Sequence, residues 1–100
     1  MKELKIYVGN IDKKVVNEVL GAISQTAGGV TLTTGTGYWI DPETSKLYAE
    51  NSNIFITLCE NDQVANQVKN VVNTIMKTKT SELSVLITER ELSAEFVELR

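Results

Sequence analysis

From Gly28 to Cys59 the chain reads GGVTLTTGTGYWIDPETSKLYAENSNIFITLC, and no other stretch constrains its fold so strongly. It holds four of the six glycines, the only proline, the only tryptophan and two of the three tyrosines. Val30 towards Ile40 is rich in β-branched threonine (Thr31, Thr33, Thr34 and Thr36), which suits a pleated strand. Asp41 to Lys46 reads as a turn, because Pro42 presets φ and the Asp41 carboxylate can bond the backbone ahead. A return strand runs from Leu47 to Cys59, with a polar run, Glu50 to Asn53, that suits a bulge. Its second half, Ile54 to Leu58, is apolar on successive residues, as in a strand covered on at least one face. The stretch is one long two-stranded ribbon.

The flanks are regular. Leu4, Ile6 and Val8 alternate with Lys5 and Tyr7 as a half-buried strand ended by Gly9-Asn10. Asp12 caps a helix from Lys13 to about Ala27, whose Val15, Val16, Val19, Leu20 and Ile23 form one stripe, and Gly28-Gly29 ends it. Asn61 caps a second helix from Asp62 to about Lys77, with a stripe of Val64, Val68, Val71, Val72, Ile75 and Met76. Leu83, Val85 and Ile87 alternate as a fourth strand, Glu89 to Ser93 reads as a short turn, and Ala94 to Leu99 as a fifth, C-terminal strand. With no repeat or linker, residues 1–100 read as a single domain.

Strand, helix, long hairpin, helix, strand is βαββαβ. Right-handed crossovers then put both helices on one face of an antiparallel sheet, the ferredoxin-like α+β arrangement. The strands nevertheless carry apolar residues on both faces: Tyr7 opposes Ile6, and Leu86 opposes Val85 and Ile87. The face without helices needs another covering, and self-association supplies it most simply.

Several functions are excluded. The net charge of −3, with arginine limited to Arg90 and Arg100, argues against nucleic acid as a partner. The chain has no histidine and one cysteine, which removes Cys-His and Ser-His catalysis, most zinc sites and any internal disulfide. Cys59, behind Ile54, Phe55, Ile56 and Leu58, reads as a small hydrophobe closing a strand. No apolar run approaches the roughly 18 residues needed to span a bilayer, and charges interrupt the N-terminal apolar residues, so no membrane partner and a cytoplasmic protein are expected. Nothing in the chain calls for a cofactor or metal.

A ferredoxin-like chain with an extended β2–β3 ribbon and a short added C-terminal strand resembles the PII-like and CutA-like small trimeric proteins. The residues that carry the resemblance are Gly37, Tyr38, Trp39, the turn from Asp41 to Lys46, Glu50 and the strand from Ile54 to Leu58. In those families three sheets pack their open faces around a central axis, so the resemblance implies a homotrimer. Bacteriophage enzymes that degrade S-adenosylmethionine share the architecture and work at subunit interfaces. The basic residues with which PII signalling proteins hold nucleotide phosphates are not evident here, and the CutA-like terminal signature is missing.

The candidate site lies in the ribbon. Gly35 and Gly37 bracket Thr36; strand glycines mark a bulge or bend most simply, and otherwise let the backbone approach an anion or ring. Tyr38 and Trp39 are adjacent and face opposite sides of a strand, so each can serve an intersubunit contact or a ligand-stacking platform. Glu50 is the best general-base candidate, beside Asn51, Ser52 and Asn53, whose amides and hydroxyl can bind the polar edge of a base, ribose or amino acid. Lys77 and Lys79 are explained by the helix dipole, and Glu89, Glu91, Glu95 and Glu98 by protection of an edge hairpin.

The expected protein binds a small nucleotide-like or S-adenosyl-like molecule between subunits, as a sensor or a sponge, through Thr33, Gly35, Thr36, Gly37, Tyr38 and Trp39 with Glu50, Asn51, Ser52 and Asn53. The alternatives are a lyase acting on S-adenosylmethionine with Glu50 in the reaction, and a purely structural oligomer.

Overall fold

The computed structural model describes residues 1–100. The elements follow the order β1 (Lys2–Val8), α1 (Lys13–Ala27), β2 (Thr31–Ile40), β3 (Leu47–Cys59), α2 (Asp62–Lys79) and β4 (Leu86–Glu91). The strands form one antiparallel sheet in the order β2-β3-β1-β4, which with the two helices is the ferredoxin-like α+β fold.

Local chemistry sets the helix bounds. The Asp12 carboxylate accepts the Lys14 amide at 2.8 Å, and the Asn61 side chain accepts the Val64 amide at 2.9 Å. Each takes up a donor that the first turn leaves without a partner. Gly28 ends α1 at φ 95°, a left-handed conformation that a Cβ would strain, and its amide closes onto the Ser24 carbonyl. Val15, Val16, Val19 and Ile23 of α1 meet Ala65, Val68, Val72, Ile75 and Met76 of α2 over Leu4, Ile6, Val8, Phe55 and Cys59 of the sheet. These 14 residues are the core. On the other face of the sheet, Tyr7, Ile54, Ile56 and Leu58 are only half-buried and Leu86 is exposed. That face is open, as its patterning predicts.

Three details depart from the sequence reading. The expected bulge at Glu50 to Asn53 is absent, and so is any bulge at Gly35 and Gly37: β2 and β3 pair without a slip from Thr31↔Ile56 to Ile40↔Leu47. The polar side chains need no bulge, because Ser52 and Asn53 bond the chain leaving β1. Glu89, Arg90 and Glu91 lie in β4 rather than in a turn, since Lys69 and Lys2 pair with Glu89 and Arg90 pairs with Glu3. Leu83 accordingly falls outside the strand, fully exposed. Ala94 to Leu99 form no fifth strand. Once β4 has used Glu91, the remaining chain holds no Gly, Pro, Asn or Asp to turn it back along β4.

No helix is long and apolar enough to cross a membrane. The molecule is 55 Å long and only 26 and 25 Å across, and the ribbon accounts for the length. Beyond Thr34↔Asn53, where β1 stops pairing, six further rungs from Gly35↔Ser52 to Ile40↔Leu47 project from the body. At about 3.3 Å per residue that is an arm of roughly 20 Å. It ends in a tight turn, in which the Asp41 carboxylate accepts the Glu43 amide at 2.8 Å.

Candidate functional site

The arm meets the body at a polar cleft. Ser52 Oγ donates to the Val8 carbonyl at 3.4 Å and Asn53 Nδ2 to the Gly9 carbonyl at 3.1 Å, fixing the β1–α1 loop against the root of the ribbon. Between that loop, the first turns of α1 and the helix side of the ribbon lies a cleft of about 630 Å³. Asn10, Lys13 and Asn17 stand on one wall, and Thr34, Thr36, Asn51 and Asn53 on the other. Only Ile11, Val16 and Leu32 are apolar, and Lys13 is the only charged residue of the lining. Amides and hydroxyls both donate and accept, so the cleft suits a ligand with a polar edge and at most a small negative charge.

Strand register divides the ten expected site residues between two faces. Thr36, Asn51 and Asn53 fall on the helix side and line the cleft, whereas Gly35 and Ser52, partners across the ribbon, border it from positions that alternate with them. Thr33, Gly37, Trp39 and Glu50 alternate onto the open side of the sheet, the side of Ile54 and Ile56. Tyr38 projects from the helix side of the arm, past the cleft, and is 68% exposed. Glu50 is exposed, forms no ion pair, and borders a smaller hollow of about 370 Å³ with Asn10, Thr36 and Asn51. One chain therefore assembles the amide and hydroxyl part of the expected site but not its aromatic part.

Two groups escaped the sequence reading. Tyr48 pairs with Trp39 across the arm, and the rings stack with centroids 4.8 Å apart and planes 20° from parallel. Counting outward from the Asp41–Lys46 turn pairs Ile40 with Leu47, and so Trp39 with Tyr48. Asn10, Lys13 and Asn17 belong to the loop and helix that follow β1; a loop leaving the C-terminal end of a central strand is a common place for a ligand.

Cys59 is fully buried, and burial pushes its thiol above the ordinary value, so it behaves as a core residue rather than a nucleophile. No group of His, Cys, Asp and Glu has the geometry of a metal site.

No family model matches the chain, and no curated protein does. Solved structures do. The divalent cation tolerance protein Cut A1 from Thermus thermophilus aligns with TM-score 0.71 at 12% identity, over 96% of this chain and 88% of that one. CutA1 from Pyrococcus horikoshii aligns with TM-score 0.68 at 9% identity, over 96% and 87%. A phage SAM lyase in complex with S-methyl-5'-thioadenosine aligns with TM-score 0.67 at 17% identity, over 97% and 92%. Identities this low tie the chain to a CutA-like fold and to nothing more specific.

Proposed function

We propose that the protein is a cytoplasmic homo-oligomer, a trimer, that binds a small nucleotide-like or S-adenosyl-like molecule between its subunits and serves as a sensor or a sponge. The observation that carries this reading is the 630 Å³ cleft at the root of the arm, whose lining is mostly amides and hydroxyls. Hydroxyl and amide groups of that number suit a ribose or the polar edge of a base, and Lys13 suits one negative charge. Thr36, Asn51, Ser52 and Asn53 hold the ligand from one chain. Trp39 and Glu50, on the opposite face, and Tyr38, farther out along the arm, serve a neighbouring chain's ligand or the contact between chains. The open sheet face and the unsupported arm favour association, because a two-stranded ribbon alone is at best marginally stable.

The test is a thermal-shift series over nucleotides, cyclic dinucleotides and S-adenosylmethionine, with light scattering for mass. A ligand at 100 times its Kd adds about 2.7 kcal/mol to stability, roughly 10–20 °C for a domain of this size. Asn53→Ala and Lys13→Ala are expected to abolish the shift. If no ligand moves the melting point while the protein remains an oligomer, the structural reading stands in place of binding.

A lyase is the second reading, supported by the likeness to the phage enzyme over 97% of this chain. Glu50 is then the base or cation stabiliser, and positioning at a subunit interface supplies the rest. Incubation with S-adenosylmethionine should consume it, and Glu50→Gln should stop the loss. Turnover equal in wild type and variant removes Glu50 from the reaction.

A further inference from the structure

The outward face of α2 has an unusual composition. Its exposed stripe, Gln63, Asn66, Gln67, Asn70, Asn73 and Thr74, falls at helical spacing and lies opposite the buried Ala65, Val68, Val72 and Ile75. None of the six is charged, although lysine, glutamate and arginine at such positions favour both the helix and solubility. Asparagine is a poor helix former, because its amide competes for the backbone, and three asparagines stand in this stripe. Gly21, near the middle of the neighbouring α1, breaks the same rule. It is exposed, its φ is not positive, and an added Cβ would meet nothing within 4 Å. Packing within the chain explains none of these choices.

Charge on α2 is gathered at its two ends. Glu60 and Asp62 stand at the start, Lys77 and Lys79 at the finish. Asp62 meets Lys2 at 3.4 Å but keeps 79% of its side chain exposed, and Glu60, Lys77 and Lys79 form no ion pair. The face is therefore acidic at one end, neutral through the middle and basic at the other. A second copy laid antiparallel sets acid against base at both ends, whereas a parallel copy sets like against like. The neutral middle also complements itself, because amides both donate and accept. With Asn70 on the two-fold axis, Asn70 meets its own copy, Gln67 opposes Asn73, Asn66 opposes Thr74 and Gln63 opposes Lys77.

The area is sufficient. The 18 residues of α2, at about 1.5 Å each and beside a second helix about 10 Å away, present roughly 27 by 20 Å. Two such faces bury about 1,000 Å² in all, the lower bound for a specific contact between proteins.

We infer that α2 of one copy packs antiparallel on α2 of a second copy, across a two-fold axis at Asn70. The helices cover the side of the sheet away from its open face, so this contact is independent of the oligomer proposed above. It joins two such oligomers into one of twice the mass.

Sedimentation and native mass of the full chain over a range of concentrations test it. The expected result is a species whose mass doubles as concentration rises. Asn70→Arg, which brings two like charges together on the axis, should raise the concentration needed for doubling at least 10-fold. Arginine is the better helix former, so the melting temperature of the dilute variant should not fall. Asn70→Glu alone should weaken the doubling in the same way, and an equimolar mixture of the two variants should restore it. Only a residue that meets its own copy gives that rescue. A wild-type mass that never doubles up to about 1 mM, where weak specific contacts still form, overturns the inference. So does a doubling indifferent to Asn70→Arg, and a mixture that fails to restore it overturns the register.

Discussion

Trp39 and Tyr48 stack face to face across the arm, 4.8 Å between centroids, five rungs beyond the last residue pair that β1 supports. Such a pair contributes about 0.5–1.5 kcal/mol beyond the area it buries, and it does so where little else holds the two strands. Trp39→Ala should therefore leave global unfolding nearly unchanged while the arm, Gly35 to Ser52, loses amide protection. If the arm reaches a neighbour, the variant's oligomer should also dissociate at a concentration at least ten times higher, read by sedimentation. An arm as protected as wild type rules out the stack as its brace.

Phe55 belongs to the body. It is fully buried, and its partners in register are Leu32 on β2 and Ile6 on β1. Truncation to alanine removes most of a ring from a packed site that can relax only partly, which costs about 3–5 kcal/mol. Urea unfolding of Phe55→Ala should show that loss at unchanged slope. For Ile56, its half-buried neighbour on the open face, Ile56→Ala should cost less in the monomer and more in the oligomer.

This difference between faces explains how far the sequence could be read. Helices were legible to within two residues because cap and stripe agree: Asp12 and Asn61 start them, and the valine stripes point to one core. The ribbon was legible from its turn, where Asp41, Pro42 and the β-branched flanks act within a few residues. What failed depends on distant partners. Glu89 and Glu91 look like turn residues until Lys2 and Lys69 arrive from other elements, and Ala94 to Leu99 look like a strand although nothing after Glu91 turns the chain back along β4. The cleft failed in the same way: Thr36 and Asn51 were visible as candidates, whereas Lys13 and Asn17 join them only through the packing of α1 on the ribbon root.

Glu89 gives a pH dependence of predictable sign. A hydrogen bond from the Lys69 ammonium at 2.9 Å, followed by the charges of Lys69 and Lys2, holds its carboxyl below the ordinary value of 4.5. A depressed carboxylate stabilises the fold above its unfolded pKa and ceases to do so as pH falls through the folded value. In Lys69→Met the stability gap to wild type should be present at pH 7 and close below pH 4.5, followed by chemical denaturation in steps of pH. A gap that persists unchanged at the acid end would assign the loss to the packing of the Lys69 stem instead.

Gly37 offers the sharpest separation of structure from function. Its φ is not positive, and an added Cβ would meet nothing closer than the Glu50 carbonyl oxygen at 3.9 Å. Neither backbone conformation nor packing within the chain therefore requires glycine there. Glycine in a strand is costly in chain entropy, so Gly37→Ala should be neutral or stabilise the isolated chain by up to about 1 kcal/mol. Gly37 nevertheless lies on the open side of the arm beside Glu50, where a bare backbone lets another surface come close. If a ligand or a neighbouring chain uses that approach, the added methyl should weaken ligand binding or association at least 10-fold without lowering the melting temperature of the monomer. Calorimetry with the ligand found by thermal shift, and sedimentation without it, distinguish the two uses. Binding and association both unchanged would return Gly37 to an incidental residue of the strand.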